Sequence, residues 1–263
     1  MIALFQNEVN IDYWNIVDWS IMRFDLGNSN SAALLYLAGT FLCIVIPYLM
    51  GSINPAILIS RMVYHDDIRT HGSGNAGTTN MLRTFGAKAA VATMLLDFGK
   101  AIVATLLGGL ILGELGQAIG GFFVGFGHMF PIYYRFRGGK GVACYAMVAL
   151  VINPWVFLGI LGTFIVVLIG TRFVSLASVM AALMYPLFMN AFASDKPGSV
   201  AMGVFAACFV IYMHRENLRR IWSNEESKID FSKFKKSKKK DAVTEDVTSA
   251  DTEEIEESAD ESR

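Results

Sequence analysis

Two glycine-rich segments of this chain carry the residue types that proteins use to bind phosphate. The first runs from Gly72 to Asn80, begins with three glycines in six residues, and is followed by Arg83. The second runs from Arg135 to Gly141 and places three glycines around Lys140. Glycines let backbone N–H groups approach a ligand closely, and the resulting concavities hold anions. Arginine and lysine supply the positive charge that a phosphate group needs.

Each segment also has a plainer interpretation. The first could be a flexible polar loop, and the second could be a basic anchor loop beside a membrane. The dense Gly, Ser, Asn and Arg content of the first segment and the glycines of the second favour anion binding. Neither segment has the G-x-x-x-x-G-K-[ST] pattern of a nucleotide-binding P-loop. The residues that we expect around phosphate are Gly72, Ser73, Gly74, Asn75, Gly77, Thr79, Asn80, Arg83, Gly138, Gly139, Lys140 and Gly141.

Further polar residues lie inside or at the ends of apolar stretches. His214 and Asn217 are three residues apart, a spacing that places both on one helix face, although a histidine that merely ends the helix is an equal alternative. Asp97 and Lys100 have the same spacing within an apolar stretch, where charged groups need a partner. We favour a structural ion pair for these two residues over contact with a ligand. His128 either packs in the core or lines a site.

A largely apolar chain must position these groups. Hydrophobic residues make up 54% of the 263 residues and charged residues only 17%. This composition excludes a disordered chain and disfavours an ordinary soluble domain. A helix that spans a membrane needs about 20 mainly apolar residues. The apolar stretches cover residues 31–59, 87–112, 116–134, 142–170, 173–192 and 200–213.

The 29-residue stretch 142–170 is interrupted by Asn153-Pro154. Because proline disfavours a continuing helix, we expect two short crossings there. The predicted fold is therefore an all-α membrane bundle of about seven transmembrane helices, with the N-terminus outside and the C-terminus in the cytoplasm. With that topology nearly all the loop lysines and arginines lie on one side of the membrane, and only Arg23 and Lys196 lie on the other. Lysine and arginine are enriched on the cytoplasmic side of membrane proteins. The glycine-rich segments and His214 then converge on the cytoplasmic face.

The formal net charge of −1 conceals four electrically different pieces. Residues 1–26 carry −3, residues 27–213 carry +5, residues 214–240 carry +6 and residues 241–263 carry −9. We expect an acidic extracytoplasmic segment at 1–30, a membrane domain at 31–226, and a cytoplasmic, basic-then-acidic disordered tail at 227–263. The three cysteines lie in apolar stretches without a CxxC motif, so neither a disulfide nor a metal site is expected.

Taken together, the motifs resemble the PlsY family, the membrane acyl-phosphate:glycerol-3-phosphate acyltransferases of bacterial phospholipid synthesis. The resemblance covers roughly residues 36–226. It rests on Gly51-Ser52-Ile53, the run Gly72–Asn80 with Arg83, Leu96-Asp97 with Lys100, Gly127-His128-Met129-Phe130-Pro131, Gly138-Gly139-Lys140-Gly141-Val142-Ala143, Val174-Ser175-Leu176-Ala177-Ser178 and His214-Arg215-Glu216-Asn217. The chain departs from the usual family residues at Thr78, at Ala101 and at Asn54-Pro55-Ala56, which could shift its substrate preference.

The resemblance implies a cell-membrane enzyme with a cytoplasmic-side site that uses no cofactor. Its reaction would transfer an acyl group from acyl phosphate to the 1-hydroxyl of glycerol 3-phosphate, giving lysophosphatidic acid and phosphate. The implied catalytic residues are Ser73, Arg83, Lys140, His214 and Asn217, and the implied supporting residues are Asp97, Lys100, His128 and Glu216. The hydroxyl proton would pass either to the donor's own phosphate or to His214. The implied partners are the lipid bilayer and a soluble enzyme that produces acyl phosphate.

Other functions predict other patterns. A transporter or channel would show inverted repeats and polar residues near the membrane midplane, and we see no such repeat in the sequence. A non-catalytic lipid-binding scaffold could use the same basic, phosphate-binding loops. A soluble-type acyltransferase would need a His-x4-Asp motif, which the chain does not place near an apolar pocket. The Lys-rich tail is too short, and too closely followed by acidic residues, to indicate nucleic-acid binding.

Overall fold

The computed structural model of this chain describes residues 15–23 and 29–229. Within these residues it forms ten α-helices and no strand, which confirms the all-α prediction. Most of the expected N-terminal segment 1–30 and nearly all of the expected tail 227–263 lie outside the described residues. The helices are α1 (Ile16–Arg23), α2 (Ser29–Ser52), α3 (Pro55–Val63), α4 (Thr78–Phe85), α5 (Ala87–Met129), α6 (Val142–Ile152), α7 (Pro154–Thr171), α8 (Val174–Phe192), α9 (Pro197–Met213) and α10 (Arg215–Trp222).

The described helices include several that can cross a membrane. By length and apolar composition four helical segments qualify, and a fifth qualifies if the bent pair α9–α10 is one span. This count is lower than the expected seven for two reasons. Helix α5 is counted once although its backbone leaves the helical conformation in the middle, and α6 has only 11 residues, fewer than the roughly 20 that an independent span requires.

Helix α5 folds back on itself. Its backbone is non-helical at Leu112 and at Gly113, where φ is +59°. A methyl group added at Gly108 would clash with the backbone of Gly116, lying 2.8 Å from its carbonyl carbon. In a straight helix these two glycines would be about 12 Å apart along the axis. Residues 87–112 and 114–129 therefore form two antiparallel halves, and the break lies where the sequence predicts a boundary between two spans.

The second predicted break is also present. Helix α6 ends at Ile152 and α7 begins at Pro154, with Asn153 between them in an extended conformation. The Asn153 side chain accepts a hydrogen bond from the backbone N–H of Trp155 and so caps α7, while its amide donates to the carbonyl of Phe192. The two bonds satisfy an N–H group in the first turn of α7 and a carbonyl at the end of α8, neither of which has a partner within its own helix.

Small residues allow close packing between the long helices. Helix α2 packs along α5, where a methyl group at Gly51 would lie 2.8 Å from the carbonyl carbon of Val124. Helices α7, α8 and α9 pack in sequence, and α9 returns to contact α5. Helices in lipid associate through such close packing, since lipid tails are as apolar as the side chains. The main core lies between α5, α6, α8 and α9.

A smaller core supports the first glycine-rich segment. It contains Ile57 of α3, Ile68, Ala76 and Met81 of α4, all fully buried. Because this cluster lies at one end of α5, it fixes the polar segment between α3 and α4 against the membrane-embedded helices.

Candidate active site

The first glycine-rich segment is organised around the buried side chain of Asn80. Its amide donates to the carbonyls of Ile68, at 3.1 Å, and His71, at 2.9 Å, and its oxygen accepts from the N–H of Ser73 at 3.1 Å. Gly72 has φ +55°, and a side chain there would clash with the Asn80 oxygen. The segment is therefore held in one conformation by internal hydrogen bonds, which argues against a flexible polar loop.

Helix α4 continues this segment and presents its N-terminus to the same space. Gly77 is its N-terminal flanking residue, and no side chain caps the first N–H groups. Uncapped N–H groups at a helix N-terminus favour an anion. Arg83 lies on the same helix with an exposed side chain that has no hydrogen-bond or ion-pair partner within the described residues.

The second glycine-rich segment is fastened to the end of α5. The N–H groups of Gly138 and Gly139 donate to the carbonyls of Met129, at 3.2 Å, and His128, at 3.0 Å. A methyl group at Gly139 would clash with Nε2 of His128 and would lie 2.8 Å from the carbonyl oxygen of Ala76. Glycine is thus required at this point, where the two glycine-rich segments meet.

Asp97, Lys100 and His128 form a buried cluster beneath both segments. The ammonium group of Lys100 lies 2.8 Å from Asp97 and 2.9 Å from Nδ1 of His128, and Nδ1 of His128 is 3.1 Å from Asp97. Lys100 also donates to the carbonyls of Gly51 and Ile53, where α2 ends. Cys144 adds a third potential metal ligand, with ligand atoms within 4.8 Å of one another. Because Lys100 already neutralises the carboxylate, the cluster fits an ion-pair role better than a metal centre.

The break between α9 and α10 brings His214 and Asn217 to the same place. The two helices meet at an angle of 51°. Nδ1 of His214 lies 2.8 Å from the carbonyl of Val210. Since a carbonyl only accepts, Nδ1 carries the hydrogen, and Nε2 of the neutral ring is left as an acceptor. The side-chain oxygen of Asn217 accepts a hydrogen bond from the ammonium group of Lys140.

A carboxylate that the sequence did not point to completes this region. Glu226 follows α10 and accepts hydrogen bonds from Ser175, at 2.9 Å, Asn217, at 2.7 Å, and Arg220, at 2.8 Å. Glu216, for which we expected a supporting role, is instead exposed and does not line the cavity described next. The dense charge of residues 214–240 gave no reason to single out Glu226, because its position depends on a turn back towards α8.

These residues surround one cavity of about 540 Å³. Of the residues expected at the site, those that line it are Ser73, Asn75, Gly77, Thr79, Asn80, Arg83, Asp97, His128, Lys140, Gly141, His214 and Asn217. Gly72, Lys100, Gly138 and Gly139 do not line it but contact residues that do, and Gly74 lies between the lining residues Ser73 and Asn75. The rest of the wall is mostly apolar and includes Met94, Phe98, Met147, Phe157, Ile160, Leu161, Phe164, Ala181, Ala182, Ala206, Ala207 and Val210.

The polar end of the cavity is electropositive. Burial lowers the pKa of Lys140 to about 8; Glu226 opposes that shift, and the positive charges of Arg220 and Arg83 add to it. Although burial acts the other way, hydrogen bonds from Asn217, Arg220 and Ser175 lower the pKa of Glu226. Because burial, and to a smaller extent the neighbouring cations, depress the pKa of Lys140, an anion bound beside it would favour its charged form.

Comparison with known proteins gives consistent matches. The sequence profile of the glycerol-3-phosphate acyltransferase family matches residues 41–224. A glycerol-3-phosphate acyltransferase of Geobacillus kaustophilus is 39% identical over 190 residues, which cover 72% of this chain and 96% of the relative. One of Thermoanaerobacter sp. (strain X514) is 36% identical over 185 residues, covering 70% of this chain and 93% of the relative.

Solved structures match as well. The crystal structure of PlsY (YgiH), an integral membrane glycerol 3-phosphate acyltransferase, in its glycerol 3-phosphate form superposes with a TM-score of 0.68 at 30% identity. That comparison covers 74% of this chain and 98% of the other. The lysophosphatidic acid form of the same protein gives a TM-score of 0.66, also at 30% identity, with 73% and 95% covered.

Proposed function

This chain belongs to the glycerol-3-phosphate acyltransferase family, and we propose that its acyl donor is an acyl phosphate and its product lysophosphatidic acid. It is an integral membrane enzyme of phospholipid synthesis. That a structure of PlsY holds lysophosphatidic acid supports the proposed product by analogy.

One observation carries the proposal. One cavity has Arg83, Lys140 and the uncapped N-terminus of α4 at one end and mainly apolar walls along the rest of its length. An acyl phosphate needs both environments at once, since its head is anionic and its tail is a hydrocarbon. Glycerol 3-phosphate needs only the polar end. Two separate glycine-rich segments at that end give each substrate's phosphate a place to bind.

We assign the binding roles by position. Arg83 and the N-terminus of α4 would bind one phosphate, with Ser73 and Thr79 as hydroxyl donors from the first glycine-rich segment. Lys140, aligned by Asn217, would hold the other phosphate against the second segment. The remaining expected phosphate-loop residues act by shaping these two surfaces, and Glu226 rather than Glu216 orients Asn217 and Ser175.

The reaction then needs little covalent help from the protein. The 1-hydroxyl oxygen of glycerol 3-phosphate attacks the acyl carbon, and the bond between that carbon and the phosphate oxygen breaks. The hydroxyl proton passes to the departing phosphate, so the products are 1-acylglycerol 3-phosphate and inorganic phosphate. Catalysis comes from holding two anions side by side and stabilising the developing oxyanion charge. Nε2 of His214, the acceptor nitrogen of the ring, would accept a hydrogen bond from the attacking hydroxyl and is the alternative proton acceptor.

The side of the membrane on which the site lies can be proposed as well. We place the site on the cytoplasmic side of the cell membrane, where a soluble enzyme could deliver acyl phosphate. The charge asymmetry of the loops supports this orientation. We take the catalytic domain to run from residue 31 to residue 226, because the Glu226 side chain contacts Asn217 and Ser175.

The test uses purified protein with labelled glycerol 3-phosphate. With palmitoyl phosphate we expect labelled lysophosphatidic acid and an equal amount of inorganic phosphate, and with palmitoyl-CoA we expect neither. If product forms from palmitoyl-CoA but not from palmitoyl phosphate, the proposed donor is wrong, whereas the family assignment is unaffected. Binding of glycerol 3-phosphate would show that the preparation is folded and its site intact. If such a preparation forms no product from either donor, the proposed reaction is wrong.

A further inference from the structure

The apolar part of the main cavity ends on a wall shared with a second, much smaller cavity. Tyr145, Tyr185 and Ala206 line both. The second cavity has room for about 10 Å³, close to the minimum for one water molecule, and continues towards Ser199 and Ile152. Tyr145 and Tyr185 are only 4% and 5% exposed. Two aromatic rings therefore separate the main cavity from unfilled space farther along the same helices.

Local packing holds each ring in place. The Tyr145 ring packs on Gly125, where a methyl group would clash with it, and its hydroxyl donates to the carbonyl of Phe122 at 3.1 Å. The Tyr185 ring lies against Gly203 of α9, 3.7 Å from the position that a methyl group would take. Within the described residues the Tyr185 hydroxyl has no hydrogen-bond partner, so the ring and not the hydroxyl forms the wall.

The helices give the compartment a finite depth. On α8, Ser175 lies at the polar end and Tyr185 is ten residues farther along, which corresponds to about 15 Å of helix axis. Ala206 of α9 lies eight residues before His214, which directly follows that helix, or about 12 Å along its axis. A hydrocarbon tail that starts at the polar end would reach the wall before it reaches the opposite end of the bundle.

We propose that Tyr185, backed by Tyr145, is the floor of the acyl compartment and sets the upper limit on the length of the acyl chain that the enzyme transfers. The inference rests on the proposed function, because it assigns the apolar part of the cavity to the donor's tail. A chain longer than the compartment must displace the Tyr185 ring or leave its terminal methylenes outside the pocket. A hydrocarbon pocket discriminates between chain lengths by about 10-fold or more per methylene that it cannot accommodate.

The test compares chain lengths within each variant. Lauroyl, palmitoyl and stearoyl phosphate compete for limiting glycerol 3-phosphate, and the products are separated by mass. In Tyr185→Ala we expect the stearoyl-to-lauroyl ratio of kcat/KM to rise by about 10-fold or more over the wild type. Because both donors compete for the same enzyme molecules, the ratio does not depend on how much of the variant is folded. In the control Tyr185→Phe, which keeps the ring, the ratio should remain unchanged.

A second substitution, which should shorten the compartment, tests the same wall in the opposite direction. Ala206→Leu adds bulk to the same wall and should lower the stearoyl-to-lauroyl ratio, whereas Leu183→Ala, on the half-exposed side of α8, should leave it unchanged. Unchanged ratios in both Tyr185→Ala and Ala206→Leu would overturn the inference and indicate that the tail leaves the cavity sideways into lipid. A wild-type enzyme inactive with all three donors would instead overturn the proposed function.

Discussion

Arg83 and Lys140 reach one cavity from different elements and meet different surroundings. Arg83 is exposed on α4 and has no hydrogen-bond or ion-pair partner in the described part of the chain. Lys140 is mostly buried, donates to Asn217, and has a pKa lowered to about 8. The first is suited to a bidentate contact with phosphate, and the second acts as a point charge whose strength depends on pH.

Replacing Arg83 by lysine tests the bidentate contact. Arg83→Lys keeps the positive charge but loses the planar pair of donors. A hydrogen bond to a charged group contributes roughly 1.5–3 kcal/mol, so we expect kcat/KM for glycerol 3-phosphate to fall about 10- to 100-fold. Steady-state kinetics with saturating palmitoyl phosphate measures this change. Arg219→Lys, at an exposed position of α10 outside the cavity, is the matched control. Equal effects from both substitutions would argue against a phosphate contact at Arg83.

The lowered pKa of Lys140 predicts an alkaline limit to activity. As the pH rises through about 8 the ammonium group loses its proton, so kcat/KM for glycerol 3-phosphate should fall above that pH. Because Glu226 raises this pKa, Glu226→Gln should move the limb to lower pH, whereas Lys140→Arg should remove it from this range. The pH profiles of the three proteins provide the comparison. An identical alkaline limb in Lys140→Arg would show that another group titrates.

His214 distinguishes the two routes for the proton. If the departing phosphate accepts it, His214→Gln should lower kcat modestly and leave the shape of the pH–rate profile unchanged. If His214 is the general base, the acidic limb should disappear and kcat should fall by about 100-fold or more. The pH–rate profile of the variant therefore decides between them.

At the scale of the elements, α5 and the segment after α10 determine how the site is assembled. The second half of α5 carries His128 and supports the second glycine-rich segment, while its first half carries Asp97 and Lys100. These three residues form one cluster only because the two halves lie side by side. The segment after α10 returns to the corner between α7 and α8, where the N–H of Ile229 donates to the carbonyl of Arg172 at 2.9 Å and Glu226 reaches Ser175.

The fold-back of α5 depends on close backbone contact between Gly108 and Gly116. Gly108→Ala would force the two halves apart, and we expect it to destabilise the protein by about 1–3 kcal/mol, the usual cost of overpacking. Gly99→Ala is the matched control in the same helix, because a methyl group there would meet nothing within 4 Å. Thermal unfolding in detergent should show a lower midpoint for Gly108→Ala only. A similar midpoint for both variants would contradict the proposed importance of this contact.

At the scale of the whole molecule, the predicted topology depends on how positive charge is distributed among the loops. Four or five of the described helical segments qualify as spans on length and composition, whereas seven crossings account best for the distribution of charge. In the predicted seven-crossing topology the two glycine-rich segments and His214 lie on one side, and the turn between α8 and α9 lies on the other.

Cysteine labelling measures this directly. Cys208→Ser removes the exposed native thiol. In that background Arg137→Cys and Asp195→Cys each introduce one exposed thiol, and the two positions lie on opposite predicted sides of the membrane. With a membrane-impermeant reagent, we expect Asp195→Cys to react in intact cells and Arg137→Cys to react only in inverted vesicles. Reaction of both thiols from the same side would exclude the seven-crossing topology.

The sequence by itself determined the kind of fold and predicted the chemistry of the site. Lipid leaves backbone groups no alternative to helices, so long apolar stretches predict spans, and the breaks at Leu112–Gly113 and Asn153–Pro154 follow from composition and from the geometry of proline. The glycine-rich segments with Arg83 and Lys140 are predicted anion-binding sites from local residue types alone.

Only the tertiary structure decided which groups meet. Glu226, not Glu216, contacts Asn217, and His128 joins the Asp97–Lys100 pair from the other half of α5. Likewise Tyr185 closes the apolar end of the cavity because α8 packs against Gly203 of α9. Each of these contacts joins residues from different elements, and no local pattern encodes how far a helix is rotated or where a segment turns back.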